Sequence, residues 1–152
     1  MTAIAEMVPA RYRAMVVLVA STGMRQGEVF GLTVDRIDFL RRTVRVDRQL
    51  VGISGHAPAL APPKTDASYR TIPLPQVAVD ALATHLAAFP VGDEGLVFTG
   101  SEGQMLRRSA FGNVWRQATD SLLIRHGGVN PQVRGLGVDE SVDTPGSVLV
   151  VP

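Results

Sequence analysis

The stretch from Ser21 to Leu32, Ser-Thr-Gly-Met-Arg-Gln-Gly-Glu-Val-Phe-Gly-Leu, constrains the fold more than any other part of the chain. It follows an apolar segment of helical character and opens a second helix. Gly23 supplies a backbone that can turn a sharp corner. Arg25 then stands in the first turn of the new helix, and Glu28, three residues on, shares its face. A guanidinium at a helix start adds its fork of donors to the free N–H groups and the positive dipole end. A phosphate oxygen suits that combination. A solvated Arg–Glu pair, contributing a few tenths of a kcal/mol, accounts for the same two residues equally well.

The flanking segments read as one α+β domain, mainly helical, with a small three-stranded antiparallel sheet. Ile4 to Met7 ends a short helix that Pro9 closes. Arg11 to Ala20 is a buried helix built on Met15, Val16, Leu18 and Val19. Asp35 and Asp38 read as turn and cap residues. Thr43 to Leu50 alternates, with Arg48 as the exception, and predicts a single strand with one wet face. Glycines and prolines from Gly52 to Pro63 mark a loop with short strand pieces, and His56 within it reads as solvated. Thr65 to Ser68 is turn-like, Tyr69 to Ile72 is a strand, and Lys64 sits at the mouth of that hairpin. Pro75 starts a helix that runs to about Phe89, with His85 within it as a surface or partly packed residue rather than a ligand. Leu96 to Phe98 predicts a short strand. Arg107 to Thr119 predicts a helix with Phe111, Val114, Trp115 and Ala118 on one face and Arg107, Arg108 and Arg116 on the other.

Two of these segments resemble the tyrosine recombinase, or phage integrase, family. Thr22-Gly23-Met24-Arg25-Gln26-Gly27-Glu28-Val29 through Leu32 resembles its first arginine box, Thr-Gly-x-Arg-x-x-Glu-hydrophobic-x-x-Leu. Lys64, Ser68, Arg70, Ile72, Pro73 and Leu74 resemble its hairpin lysine and the Ser-x-Arg-x-(Ile/Val)-Pro-Leu strand that follows. The resemblance implies a catalytic-domain fold of that type and DNA as the partner. It implies catalytic-site roles for Arg25 and Lys64. A lysine ammonium is a suitable point donor to a departing 5′ oxygen. Arg70 and the basic end formed by Arg107 and Arg108 join Arg25 and Lys64 as expected DNA contacts. A solvated basic face explains Arg107 and Arg108 equally well.

After Thr119 the resemblance weakens. The family's His-x-x-Arg box is expected next, but Asp120-Ser121-Leu122-Leu123-Ile124-Arg125-His126-Gly127 resembles the segment that normally follows that box. Arg125 and His126 are adjacent, so on a helix they point about 100° apart and cannot share a face. Leu136-Gly137-Val138 resembles Leu-Gly-His with valine in the histidine's place. The tyrosines are Tyr12 and Tyr69, and neither lies in the nucleophile's segment; Ser147 falls near the family's usual nucleophile spacing but lacks its box. Residues 1–119 are therefore expected to form a partial integrase-like catalytic domain and residues 120–152 a degenerate C-terminal segment of it. No nucleophile is assigned, and the N-terminal DNA-gripping domain of such recombinases is expected to be absent. Val148 to Val151 is an apolar run that would invite aggregation if nothing covered it.

Composition limits the remaining classes. Cysteine is absent, which excludes a disulfide framework or a thiolate metal site. No metal or small-molecule cofactor is expected. No apolar run reaches the ~18 residues of a membrane span, and early charges spoil a signal-peptide reading, so a cytoplasmic location without membrane contact is expected. Residues 1–119 hold 13 Lys and Arg against 10 Asp and Glu, while residues 120–152 hold 2 against 4, so the body is mildly basic and the tail acidic. The expected function is an integrase-like DNA-binding protein unable to catalyse strand transfer. The alternatives are a regulator that pairs with full-length recombinase protomers and a protein-interaction domain that binds no DNA.

Overall fold

The computed structural model describes residues 2–52 and 55–125. Readings placed on His126, on residues 128–138, on Ser147 and on Val148 to Val151 lie outside the described residues. The helices are α1 (Thr2–Met7), α2 (Ala10–Thr22), α3 (Gln26–Phe30), α4 (Gln76–Ala88) and α5 (Arg108–Arg125). The strands are β1 (Ile37–Asp38), β2 (Thr43–Val46), β3 (Gln49–Val51), β4 (Ala59–Ala61) and β5 (Arg70–Pro73).

The expected α+β architecture is present. Strands β1, β2 and β5 form an antiparallel sheet in that order, with Val44 opposite Ile72 and Val46 opposite Arg70. A second ribbon pairs β3 with β4, Leu50 opposite Leu60. The core lies between the helices and the inner face of these strands. Ala14, Met15 and Leu18 of α2 meet Ala78 and Leu82 of α4, with Val29, Phe30, Val44, Val46 and Phe98 closing the cluster. Burying each Met, Leu, Val or Phe side chain among these contributes roughly 1.5–3 kcal/mol. Helix α5 docks through Phe111, whose ring lies edge-on to Tyr12 at 5.6 Å and to Phe30 at 5.5 Å. A smaller cluster of Ala5, Val8, Val16 and Ala118 ties α1 to α2 and α5.

Four expectations are corrected. The alternating run from Thr43 to Leu50 is two strands in two sheets, not one. The break falls at Asp47 and Arg48, where the Asp47 carboxylate accepts from Arg36 Nε (2.7 Å) and Arg48 Nε (3.0 Å). Leu96 to Phe98 is not a ladder strand. It is deeply buried and touches the rest of the backbone through Leu96 opposite Thr33 and the Val97 N–H donating to Leu32 O at 2.9 Å. His85 is in the core rather than at the surface, 4% exposed, with Nε2 2.9 Å from the Val97 carbonyl. Its imidazole lies 4.9 Å from the Phe98 ring and 5.0 Å from the Phe89 ring. Burial lowers its pKa; the Val97 hydrogen bond opposes that shift and the nearby Arg11 charge adds to it. The last helix also extends beyond Thr119, through Asp120 to Arg125, without a break.

Candidate functional site

The corner before α3 is built almost entirely from local interactions. Thr22 Oγ1 donates back to the Leu18 carbonyl at 2.6 Å, closing the end of α2. Gly23 takes a left-handed conformation (φ 67°, ψ 19°) and its N–H donates to Val19 O, a helix ending that glycine adopts without a Cβ penalty. Met24 is buried and pins the loop to the core. Arg25 is extended (φ −70°, ψ 150°) and stands at the N-cap of α3 rather than inside its first turn.

Glu28 is the centre of the site. It is 4% exposed, yet it carries a carboxylate. Its Oε2 accepts the Arg25 backbone N–H at 2.8 Å, and its Oε1 accepts from Arg25 Nη1 at 3.2 Å. Arg70, from β5, clamps the same carboxylate from the other side, with Nη1 to Oε1 at 2.8 Å and Nη2 to Oε2 at 2.8 Å. This is the parallel fork geometry that makes arginine–carboxylate pairs strong. Burial alone would raise the Glu28 pKa, but the Arg70 hydrogen bonds, the Arg25 N–H and the Arg70 charge outweigh it and hold the carboxyl below its usual range. The Glu28 hydrogen bond in turn raises Arg70 against the opposing effect of burial.

The outcome is asymmetric. Arg70 gives its fork to Glu28 and is 32% exposed, whereas Arg25 spends one nitrogen and remains 72% exposed. The structure therefore fixes the root of Arg25 and leaves most of its guanidinium facing solvent.

Lys64 lies in the bend between β4 and the 3-10 turn Asp66–Ser68. Its side chain is exposed. Contacts on both sides hold its loop. Gln49 Nε2 donates to Pro62 O at 3.2 Å on one side. On the other, Arg70 Nη1 donates to Ser68 O at 3.2 Å, and the Thr65 and Ser68 hydroxyls lie 3.0 Å apart. Both holding residues also border α3. A Cβ on Gly27 would sit 3.6 Å from Gln49 Oε1, and Arg70 is the partner of Glu28. The Arg25 corner and the Lys64 loop are thus tied to the same short helix.

Arg107 and Arg108 are exposed at the start of α5. No described hydrogen bond or ion pair joins them to the Glu28 cluster. His56 is exposed in its loop, as expected, and lines a shallow cavity of about 260 Å³ with Arg107, Arg108 and Ser109. Local spacing pairs Glu28 with Arg25; its stronger partner is Arg70. The two residues are 42 positions apart, so no local spacing signals the pair. Among the described residues no helix is long and apolar enough to cross a membrane.

Comparison with known proteins agrees with this fold. The model of the phage integrase family matches residues 1–127. A tyrosine recombinase XerC-like protein of Caldanaerobacter subterraneus subsp. tengcongensis is 32% identical over 83 residues, which cover 49% of this chain and 21% of that protein. Among solved structures, the Tn1549 transposon integrase in complex with a circular intermediate DNA superposes with a TM-score of 0.70 at 21% identity, covering 80% of this chain and 40% of the integrase chain. The XerA recombinase gives a TM-score of 0.56 at 19% identity, over 84% of this chain and 49% of that one. The chain therefore spans 21% of the curated relative and less than half of either solved chain. With the family model covering the Arg25 corner, the Lys64 loop and all of α5, the chain belongs to the phage integrase family of tyrosine recombinases.

Proposed function

We propose that this chain binds DNA through the sugar–phosphate backbone, as an integrase-type module that does not itself carry out strand transfer. One observation carries the reading: a buried carboxylate fixes the root of Arg25 while the guanidinium stays 72% exposed. A cation whose backbone is anchored and whose charge is left open is prepared for an anion from outside. Lys64 supplies a second open cation on a loop tied to the same helix, and Arg107 and Arg108 extend the contact along the backbone. Its relatives named above include an integrase solved on DNA, which favours the same partner.

The lack of strand transfer is read from the sequence. Two arginines clamp a transferring phosphoryl group in this chemistry, and a tyrosine takes it covalently. No His-x-x-Arg box follows α5. Tyr12 is packed edge-on against Phe111, and Tyr69 sits directly before β5. On this reading residues 1–119 are the working part and residues 120–152 are its degenerate end.

The test is duplex-DNA affinity at several salt concentrations, for the wild type and an Arg25→Ala, Lys64→Ala double variant. Affinity should fall with salt, and the logarithmic slope should shrink by about 0.9 for each phosphate contact removed. Denaturing gels should show no protein–DNA adduct. A folded wild type without affinity, or a double variant that binds equally well, would remove DNA from the reading; an adduct mapped to Tyr69 would restore catalysis.

A second reading, pairing with an intact recombinase protomer, is favoured by an apolar groove of about 360 Å³ lined by Met15, Val19, Val29, Phe30, Phe111 and Trp115. Sedimentation of mixed samples would detect such pairing.

A further inference from the structure

We infer that Arg70 is a positioning residue that fixes both phosphate-facing cations at once, and that it does not itself contact the phosphate. The inference rests on the DNA-binding reading for its consequence, and differs from the expectation that Arg70 touches DNA directly. Its geometric basis is one guanidinium with two partner residues and three acceptor oxygens. Nη1 and Nη2 fork onto the Glu28 carboxylate, 2.8 Å each, and Nη1 also donates to Ser68 O at 3.2 Å.

Each partner leads to a different cation. Through Glu28 the fork reaches Arg25, because the same two oxygens accept the Arg25 N–H and Nη1. Through Ser68 it reaches the turn that begins at Thr65, directly after Lys64. Arg70 lies in β5 opposite Val46, which is buried, so a sheet strand sets the position of this clamp rather than a loop. A rigid strand holding two irregular loops is the arrangement a prearranged anion site needs.

Removing the clamp would leave Glu28 buried with Arg25 as its one remaining charged partner. Arg25 would then turn inward to neutralise it, because an uncompensated buried carboxylate is costly. The open cation would be withdrawn from the surface, and the Lys64 loop would lose one of its two ties. The fork matters as much as the charge. A lysine at position 70 offers a point ammonium that cannot bond both carboxylate oxygens and the Ser68 carbonyl in this geometry.

The experiment compares wild type, Arg70→Lys, Arg70→Met and Arg25→Ala, Lys64→Ala, with each Arg70 change also placed in the double variant. Two readouts are used: duplex-DNA affinity, and hydrogen exchange of the Arg25 amide in the protein without DNA. Arg70→Lys should lose about tenfold in affinity despite keeping its charge, and should lose nothing more than about twofold in the double variant, because coupled residues are not additive. Exchange at Arg25 should accelerate in both Arg70 variants. Full affinity in Arg70→Lys, or an equal loss with and without Arg25 and Lys64, would show that Arg70 acts by its own charge and would overturn the inference. If wild type binds no DNA, the functional reading fails separately. The clamp is then judged by exchange alone, and an unchanged Arg25 amide in Arg70→Lys refutes it. Arg70→Lys keeps the comparison usable should Arg70→Met fail to fold.

Discussion

Among the described residues, Glu28 and Asp47 each gather more than one arginine, and they hold them differently. Glu28 lies under the corner of α3, 4% exposed, and holds Arg70 and Arg25. Asp47 lies between β2 and β3, its side chain 10% exposed, and holds Arg36, Arg45 and Arg48. At Asp47 two of the three arginines are themselves half-sheltered, and the cluster serves to turn the chain from one sheet to the other. At Glu28 one arginine is consumed and the other is presented. Burial would raise both carboxyls, and in both the arginine hydrogen bonds prevail and lower them. The titration therefore looks alike at the two sites. Each also leaves one arginine open, Arg25 at 72% and Arg45 at 67% exposure. What separates them is that Glu28 also accepts the backbone N–H of its open arginine at 2.8 Å, whereas Arg45 meets Asp47 through its side chain, Nε to Oδ2 at 3.4 Å.

Substitutions should sharpen that contrast. Glu28→Gln should be the costliest, about 3 kcal/mol in urea unfolding, because it strips the charge partner from Arg70 inside the fold. Asp47→Asn should cost about 1 kcal/mol, since its arginines can turn to water. An Asp47 variant as unstable as the Glu28 one would erase the distinction. Arg25→Ala should change stability by less than about 0.5 kcal/mol, as expected for a solvated partner, while affecting DNA binding most. A large loss of stability there would make Arg25 a structural residue like Arg36.

Acid should produce the smallest effects, in two windows. His85 is lowered in the fold, so the unfolded chain binds its proton first. Stability is complete above its ordinary pKa of 6.5 and declines as pH falls below that value. Glu28 is also lowered, so its contribution is complete above 4.5 and is lost as pH falls further. The upper window should vanish in His85→Gln and persist in Glu28→Gln, followed by thermal melts across pH.

Much of this arrangement is legible in the chain itself. Gly23, Arg25 and Glu28 form a local pattern, and local patterns survive translation into structure because their partners are three or four residues apart. The same holds for Pro75 before α4 and for the turn at Thr65 to Ser68. Asp38 also takes the turn role read for it, accepting the Arg41 N–H at 2.8 Å, whereas Asp35 instead accepts from Thr33 Oγ1 and pairs with Arg36. What escaped the sequence is long-range. The break after Val46 depends on Arg36 reaching Asp47. The burial of His85 depends on a carbonyl in a segment twelve residues on. The Arg70 clamp depends on the register that sets β5 against β2. Alternation and helical spacing describe one element at a time, so they cannot reveal a side chain's partner on another.

Gly31 carries a consequence for how the site tolerates change. Its backbone is ordinary for any residue, at φ −91°, so conformation does not demand glycine. Distance does: a Cβ there would lie 2.7 Å from Leu50 N and 2.9 Å from the Gln49 carbonyl carbon, both in the backbone of β3. Neither atom can swing aside as a side-chain tip would. An alanine would therefore act as a wedge, prising α3 off β3 and carrying Glu28 away from Arg70. The sensitivity of the arginine corner to mutation thus extends to a residue that bears no functional group and touches none of the charges.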